Sequence, residues 1–140
     1  MKDGNAVEWR GDPIRLGVVD DQELFRRGLV MLLEAAEGID VVGEATDGLE
    51  AAAMAERAAP DIILMDVNMP RLSGIESCRA IKDVAPSVKI IMLATSGEET
   101  DVCEAVKNGA SGYLLKSSSI EQVSQAIRLV ADGQSLISPR

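Results

Sequence analysis

The sequence predicts one α/β domain: a doubly wound, five-stranded parallel sheet in the order 2-1-3-4-5. Three observations carry that prediction. From Ile14 onward, short apolar runs alternate with helix-length segments five times. The runs are almost continuous branched aliphatics, as strands covered on both faces require. The length of 140 residues suits one domain with one real core and is too short for two ordinary ones. Right-handed β-α-β crossovers then leave few topologies, of which the five-strand order with a switch point between strands one and three fits best.

Taken in order, residues 1–12 are polar and without period, and read as a flexible tail carrying Trp9. The first strand is Ile14–Val19. Leu24, Gly28, Leu29, Leu32 and Leu33 follow at helical spacing as one apolar face, with Phe25 beside it. The second strand is Ile39–Gly43. The Ala-rich stretch Leu49–Ala59 favours helix by propensity and stops before Pro60. Ile62–Met65 is the third strand, followed by a stripe of Ile75, Cys78 and Ile81 with Ser73 placed to cap it. Lys89–Leu93 is the fourth, followed by Val102, Ala105 and Val106 and a stop at Gly109. Gly112–Leu115 is the fifth. Ile120, Val123, Ala126, Ile127 and Val130 then form the clearest stripe, with Ser119 as cap and Gly133 as terminator.

Composition removes several function classes. Hydrophobic residues make up 46% and aromatics 2%, so the core is built of Val, Ile, Leu, Met and Ala. A net charge of −9 makes the chain a poor nucleic-acid binder by itself, since phosphate backbones need Lys/Arg patches. Cys78 and Cys103 form neither a disulfide framework nor a metal-ligand spacing, and read as ordinary helix thiols of a cytoplasmic protein. No apolar run approaches the ~20 residues of a membrane span, and the N-terminal MKDGNAVEWR lacks the apolar stretch of a signal peptide. No membrane partner is expected. Histidine is absent, which excludes Ser-His-Asp and Cys-His nucleophilic sites and His-ligated zinc or iron.

The chemistry gathers at strand ends. IRLGVVDD and DIILMD place Asp20 and Asp21 after the first strand and Asp66 after the third, and the predicted strand order brings all three to one crevice. Nucleotide-binding relatives of such sheets put glycines after the first strand, so that backbone N–H groups cradle phosphate. Asp20-Asp21-Gln22-Glu23 would repel phosphate unless a divalent cation intervened, and Mg²⁺ suits that job. A carboxylate beside such a cation can act as a nucleophile and form an aspartyl phosphate. Asp66 is the best candidate, standing alone before an irregular loop, Val67-Asn68-Met69-Pro70. The fourth strand ends in Thr95 and Ser96, hydroxyls able to donate to a phosphoryl oxygen. The fifth ends in Lys116, a cation reaching the same edge. Plainer roles exist for each: helix capping for Asp20 and Asp21, a solvated lysine, a structural threonine, half-buried packing for Tyr113, a turn-forming Asn68.

Together these residues resemble the receiver domain of a bacterial two-component response regulator over about Ile14 to Gly133. The matching set is Asp20/Asp21, Asp66 with Asn68-Met69-Pro70, Thr95, and Tyr113 with Lys116. The resemblance implies the flavodoxin-like receiver fold over residues 13–133. It implies Asp66 as phosphoacceptor from a sensor histidine kinase, with Asp20, Asp21, Asp66 and the Asn68 carbonyl holding Mg²⁺. Lys116 would pair with Asp66 and later the phosphoryl oxygens, Thr95 would bond the phosphoryl group, and Tyr113 would swing inward. DDQELFRRGL, VVGEATDGLEA and GASGYLLKSSSIEQVSQAIRLVADGQSLISP are similar to receivers that precede a LuxR-type helix-turn-helix. Residues 134–140 would then begin a linker to a DNA-binding domain outside this chain, and a helix face would serve a homodimer. Gln22 stands where many relatives carry His or another polar residue, and Ser117 where many carry proline, which leaves the geometry of the Lys116–Ser117 peptide open. Alternatives are an aspartyl-phosphate phosphatase or mutase and a pseudo-receiver or stand-alone receiver acting through protein contacts. Asn68 occupies the place of the second acid in a DxD phosphatase pair. The intact acid, Thr and Lys set argues against the pseudo-receiver.

Overall fold

The computed structural model describes residues 11–67, 69, 74–95, 107 and 109–133, with the backbone alone for residues 74 and 75. Its elements are β1 (Ile14–Val19), α1 (Glu23–Glu34), β2 (Ile39–Ala45), α2 (Gly48–Ala58), β3 (Ile62–Asp66), α3 (Gly74–Val84), β4 (Lys89–Ala94), β5 (Gly112–Leu115) and α4 (Ile120–Ala131). The strands form one sheet in the order β2-β1-β3-β4-β5, every pairing parallel, as the sequence predicts. The predicted stripe of Val102, Ala105 and Val106 lies outside the described residues, as does Ser73.

Strand periodicity divides the core into two layers. Ile63, Met65, Ile90 and Met92 face one side with Met54, Ala55, Cys78 and Ile81, so α2 and α3 cover it. Leu16, Val18, Ile62, Leu64, Ile91 and Leu93 face the other with Leu29, Leu33, Val123 and Ile127, under α1 and α4. Aliphatic and sulfur side chains fill both layers. The single deviation in strand register lies between β1 and β2, where Leu16 pairs with Val41 but Gly17 with Gly43. The extra residue is a bulge, and it sets two glycines side by side beneath α2. A Cβ at Gly17 would lie 2.6 Å from Met54 Cε, and one at Gly43 2.7 Å from Met54 Cγ. Only glycine lets that methionine lie flat across both strands.

Helix ends follow side-chain chemistry. Asp47 Oδ1 accepts from Glu50 N at 2.9 Å to cap α2, and Ser119 and Gln122 form a full capping box on α4. The second helix begins one residue earlier than predicted and ends at Ala58; Ala59 is left-handed (φ 48°) before Pro60. Gly133 has positive φ just after α4, as its terminating role requires; Gly109 also has positive φ, while the apolar stripe it was expected to end lies outside the described residues. The first helix departs from expectation. Leu29, Val30 and Leu33 are buried, whereas Leu24 is 91% and Leu32 55% exposed. The apolar residues of α1 spread well beyond one stripe, leaving Glu23, Arg27 and Glu34 a narrow charged sector, so the sheet, and not the sequence stripe, selects which of them are buried. No helix among the described residues is long and apolar enough to cross a membrane.

Candidate functional site

The C-terminal ends of β1, β3, β4 and β5 meet along one sheet edge. Backbone bonds fix their relative heights: Asp20 N to Ala45 O (3.1 Å), Val67 N to Leu93 O (2.9 Å) and Lys116 N to Ala94 O (2.7 Å). Asp66 is the last residue of β3, the central strand, and Asp20 follows β1 beside it. Asp20 and Asp66 are 1% and 3% exposed, while Asp21 is open to solvent. One carboxylate oxygen from each of the three lies within 4.8 Å of the others. Burying two like charges side by side is costly without a compensating cation.

Lys116, immediately after β5, supplies one. Its Nζ is 2.9 Å from Asp20 Oδ2 and 3.4 Å from Asp66 Oδ2. Burial lowers its pKa, but the closeness and charge of Asp20, then of Asp66, more than offset this and hold it above the ordinary lysine value. The same ammonium donates to Gln22 Oε1 at 3.0 Å and lies 4.7 Å from the centre of the Phe25 ring. Asp20 Oδ1 is satisfied by Gln22 N at 2.8 Å. Asp20 Oδ2 is buried and, Lys116 charge aside, has no hydrogen-bond partner of good geometry among the described residues. An oxygen so placed, beside two further carboxylates, suits a hard, oxygen-seeking divalent cation such as Mg²⁺. The residues present therefore fit that ion.

Thr95 follows β4 at the same edge and is exposed. Tyr113 on β5 pairs in register with Met92 and is half-buried against the layer under α2 and α3. Asn68 and Ser96 lie outside the described residues. The peptide bonds of the described residues are all trans, Lys116–Ser117 included. Sequence reasoning missed Arg26, whose guanidinium donates to the Asp20 carbonyl at 2.9 Å and pairs with Glu44 at 2.9 Å. It also missed that Gln22 and Phe25 touch Lys116.

A family model for the response regulator receiver domain matches residues 16–128. The chain belongs to that family. It is 43% identical over 125 residues to the transcriptional regulatory protein YxjL of Bacillus subtilis (strain 168), covering 89% of this chain and 57% of the relative. The nitrate/nitrite response regulator protein NarL of Escherichia coli (strain K12) is 36% identical, with 91% and 59% covered. Among solved structures, a LuxR-family two-component response regulator from Aurantimonas sp. SI85-9A1 superposes with a TM-score of 0.86 at 34% identity, covering 91% of each chain. A signal receiver domain described as that of NarL from Mycobacterium tuberculosis gives 0.84 at 31% identity, covering 89% of this chain and all of that one. The receiver spans a little over half the length of the curated relatives it matches. YxjL is among the relatives named as transcriptional regulatory proteins, and the match falls on the receiver part of this chain.

Proposed function

We propose that this receiver is a phosphorylation-controlled switch whose phosphoacceptor is Asp66. The observation that carries the reading is the setting of Asp66: buried at the end of the central strand, within 4.8 Å of two further carboxylates and 3.4 Å from a lysine ammonium. In the reaction, an Asp66 oxygen attacks the phosphorus of a phosphohistidine on a sensor histidine kinase. The P–O bond forms as the P–N bond breaks, and the departing imidazole takes a proton. Later, water attacks the same phosphorus and releases inorganic phosphate and the free carboxylate. The receiver itself catalyses both steps.

Each residue then has a separate job. Asp20, Asp21, Asp66 and the Asn68 carbonyl would hold Mg²⁺, which when bound neutralises charge on the transferring group. Lys116 offers its ammonium to the phosphoryl oxygens and Thr95 its hydroxyl. Tyr113 moves inward as Thr95 moves, so that new charge-assisted bonds bias one of two packings of the face formed by the helix expected between β4 and β5. The output is control of transcription through a DNA-binding domain outside this chain, reached through a linker that begins at 134–140, with a helix face serving a homodimer. Location in the cytoplasm belongs to the same reading.

The test is intact-mass measurement after exposure to a small acyl phosphate and Mg²⁺. One added phosphoryl group is expected on the wild type and none on Asp66→Asn. A wild type that gains nothing sinks the reading.

A further inference from the structure

The first helix starts on a residue poorly suited to start it. An N-cap side chain is useful when a short oxygen reaches back to the N–H groups of the first turn, which favours Ser, Thr, Asp and Asn. Asp47 and Ser119 do this for α2 and α4, but Gln22 makes no side-chain cap bond to α1. Its carboxamide reaches Lys116 instead, 94 residues away, at 3.0 Å. The Gln22 N–H, bound to Asp20 Oδ1 at 2.8 Å, anchors the backbone from which that side chain departs. A local rule broken at one helix start, with the side chain engaged elsewhere, marks a site where function sets the residue.

Lys116 Nζ has three oxygen neighbours: Asp20 Oδ2 at 2.9 Å, Gln22 Oε1 at 3.0 Å and Asp66 Oδ2 at 3.4 Å. The Phe25 ring covers it from 4.7 Å, close enough for a cation–π contact. Two of these oxygens belong to the acid cluster. Gln22 is neutral and outside the cluster, so its oxygen is the one neighbour of the three that carries no charge of its own. The distances also show a bias, since the ammonium sits closer to Asp20 and Gln22 than to Asp66. A carboxylate tightly paired with an ammonium is a weaker nucleophile, because the pairing stabilises the charge that must attack.

We propose that Gln22 is a positioning residue for phosphoryl uptake: its carboxamide, with the Phe25 ring, seats the Lys116 ammonium and holds it back from Asp66. The proposal rests on the reading of Asp66 as phosphoacceptor. Without the Gln22 oxygen, the Lys116 ammonium is no longer held in one place: it moves between Asp20, Asp66 and solvent, and its visits to Asp66 dampen that carboxylate.

The experiment compares Gln22→Met, of similar length without an acceptor, with Gln22→Glu, which keeps one. Each is made in the wild-type and Lys116→Met backgrounds. The first readout uses the metal-free protein: proton exchange of the Lys116 ammonium by nitrogen-edited NMR, the signal assigned by its loss in Lys116→Met. Wild type and Gln22→Glu are expected to show the protected signal, and Gln22→Met to exchange roughly tenfold faster or lose it, because one of its three partners is gone. The second readout is the initial rate of phosphoryl uptake from a small acyl phosphate at saturating Mg²⁺. Gln22→Met is expected to be about fivefold slower, the scale of one ordinary hydrogen bond, as suits a contact made at an exposed side chain, with no further slowing when Lys116 is already Met. Unchanged ammonium exchange in Gln22→Met overturns the proposal. So does equal slowing in both backgrounds, which would mark a packing effect. A wild type that takes up no phosphoryl group overturns the phosphoacceptor reading, and the exchange comparison still decides whether Gln22 seats the lysine.

Discussion

Replacing Lys116 by Met removes the cation that lies between two buried carboxylates while keeping the length of the side chain. Charges separated by 2.9 and 3.4 Å attract by about 6 and about 5 kcal/mol at an effective dielectric near 20. Desolvation of an ammonium whose side chain is only 13% exposed offsets most of that gross sum. What a mutation reads is the cost of leaving Asp20 and Asp66 buried without their partner, about 3 kcal/mol for a pair of this kind. For a domain of this size that lowers Tm by roughly 10 °C. The deficit has a pH signature. Because the folded pKa of Lys116 is raised, its contribution is complete below the unfolded value of 10.5 and is lost as pH rises through the raised folded value. The difference between wild type and variant therefore stays level through neutral pH and shrinks only above about 10.5. Mg²⁺ supplies the third arm. In wild type, a cation at Asp20 competes with Lys116; in the variant it meets no competitor, so its stabilising effect grows by about 1.4 kcal/mol for each tenfold gain in affinity. Urea unfolding followed by circular dichroism, with and without Mg²⁺, measures all three. A variant as stable as wild type, or one that Mg²⁺ stabilises no more than wild type, refutes the balance of charge described above.

Three further outcomes follow from local geometry. Gly43→Ala is expected to destabilise by about 2–3 kcal/mol and Gly17→Ala by about 1 kcal/mol, because the new Cβ meets Met54 Cγ in the first case and the movable Cε end in the second; equal losses in urea titrations would contradict this. Ser119→Ala removes half of the α4 capping box and should cost about 1 kcal/mol, read as a lower urea midpoint at unchanged slope. Burial pushes the Cys78 thiol up to about 11, so iodoacetamide at mild alkalinity should leave the Cys78 peptide unmodified in the folded protein and label it in urea. The sign for stability is negative: the unfolded thiol ionises from about 9 and the folded one from about 11, so that group lowers stability as pH rises between them.

Much of the fold was legible because the informative signals are local. Continuous short runs of branched aliphatics such as Ile62–Met65 and Lys89–Leu93 suit strands buried on both faces, and alternation with helix-length segments narrows their order to few topologies. The α4 stripe and its Ser119 cap are readable for the same reason. Asp47 was missed although its signal is present, an Asp three residues before Glu50, and the Ala-rich stretch drew the boundary one residue late. α1 was not readable. With Leu24, Phe25, Leu29, Val30, Met31, Leu32 and Leu33 around one helix, periodicity offers more than one apolar face, and packing on β1 and β2 decides among them. The acid cluster was legible because strand topology, itself local in origin, brings Asp20 and Asp66 together. The Lys116–Gln22 contact spans 94 residues and obeys no spacing rule.

That difference shows how the site is assembled. The strand ends supply the charged groups, while the first turns of α1 supply neutral and cationic groups that fix where those charges sit. Arg26 holds the Asp20 carbonyl and is itself held by Glu44 on β2, so the position of Asp20 depends on both neighbours of its loop. Gln22 and Phe25 reach across to Lys116, whose backbone is tied to β4 through Ala94. Asp20 and Lys116 thus share supports on one helix, four residues apart, although they lie at opposite ends of the sequence. A displacement of α1 relative to the sheet would disturb both at once, and a new charge at Asp66 that pulled Lys116 inward would pull against Gln22. The position of α1 and the seating of the two charged groups are therefore linked through the same few contacts.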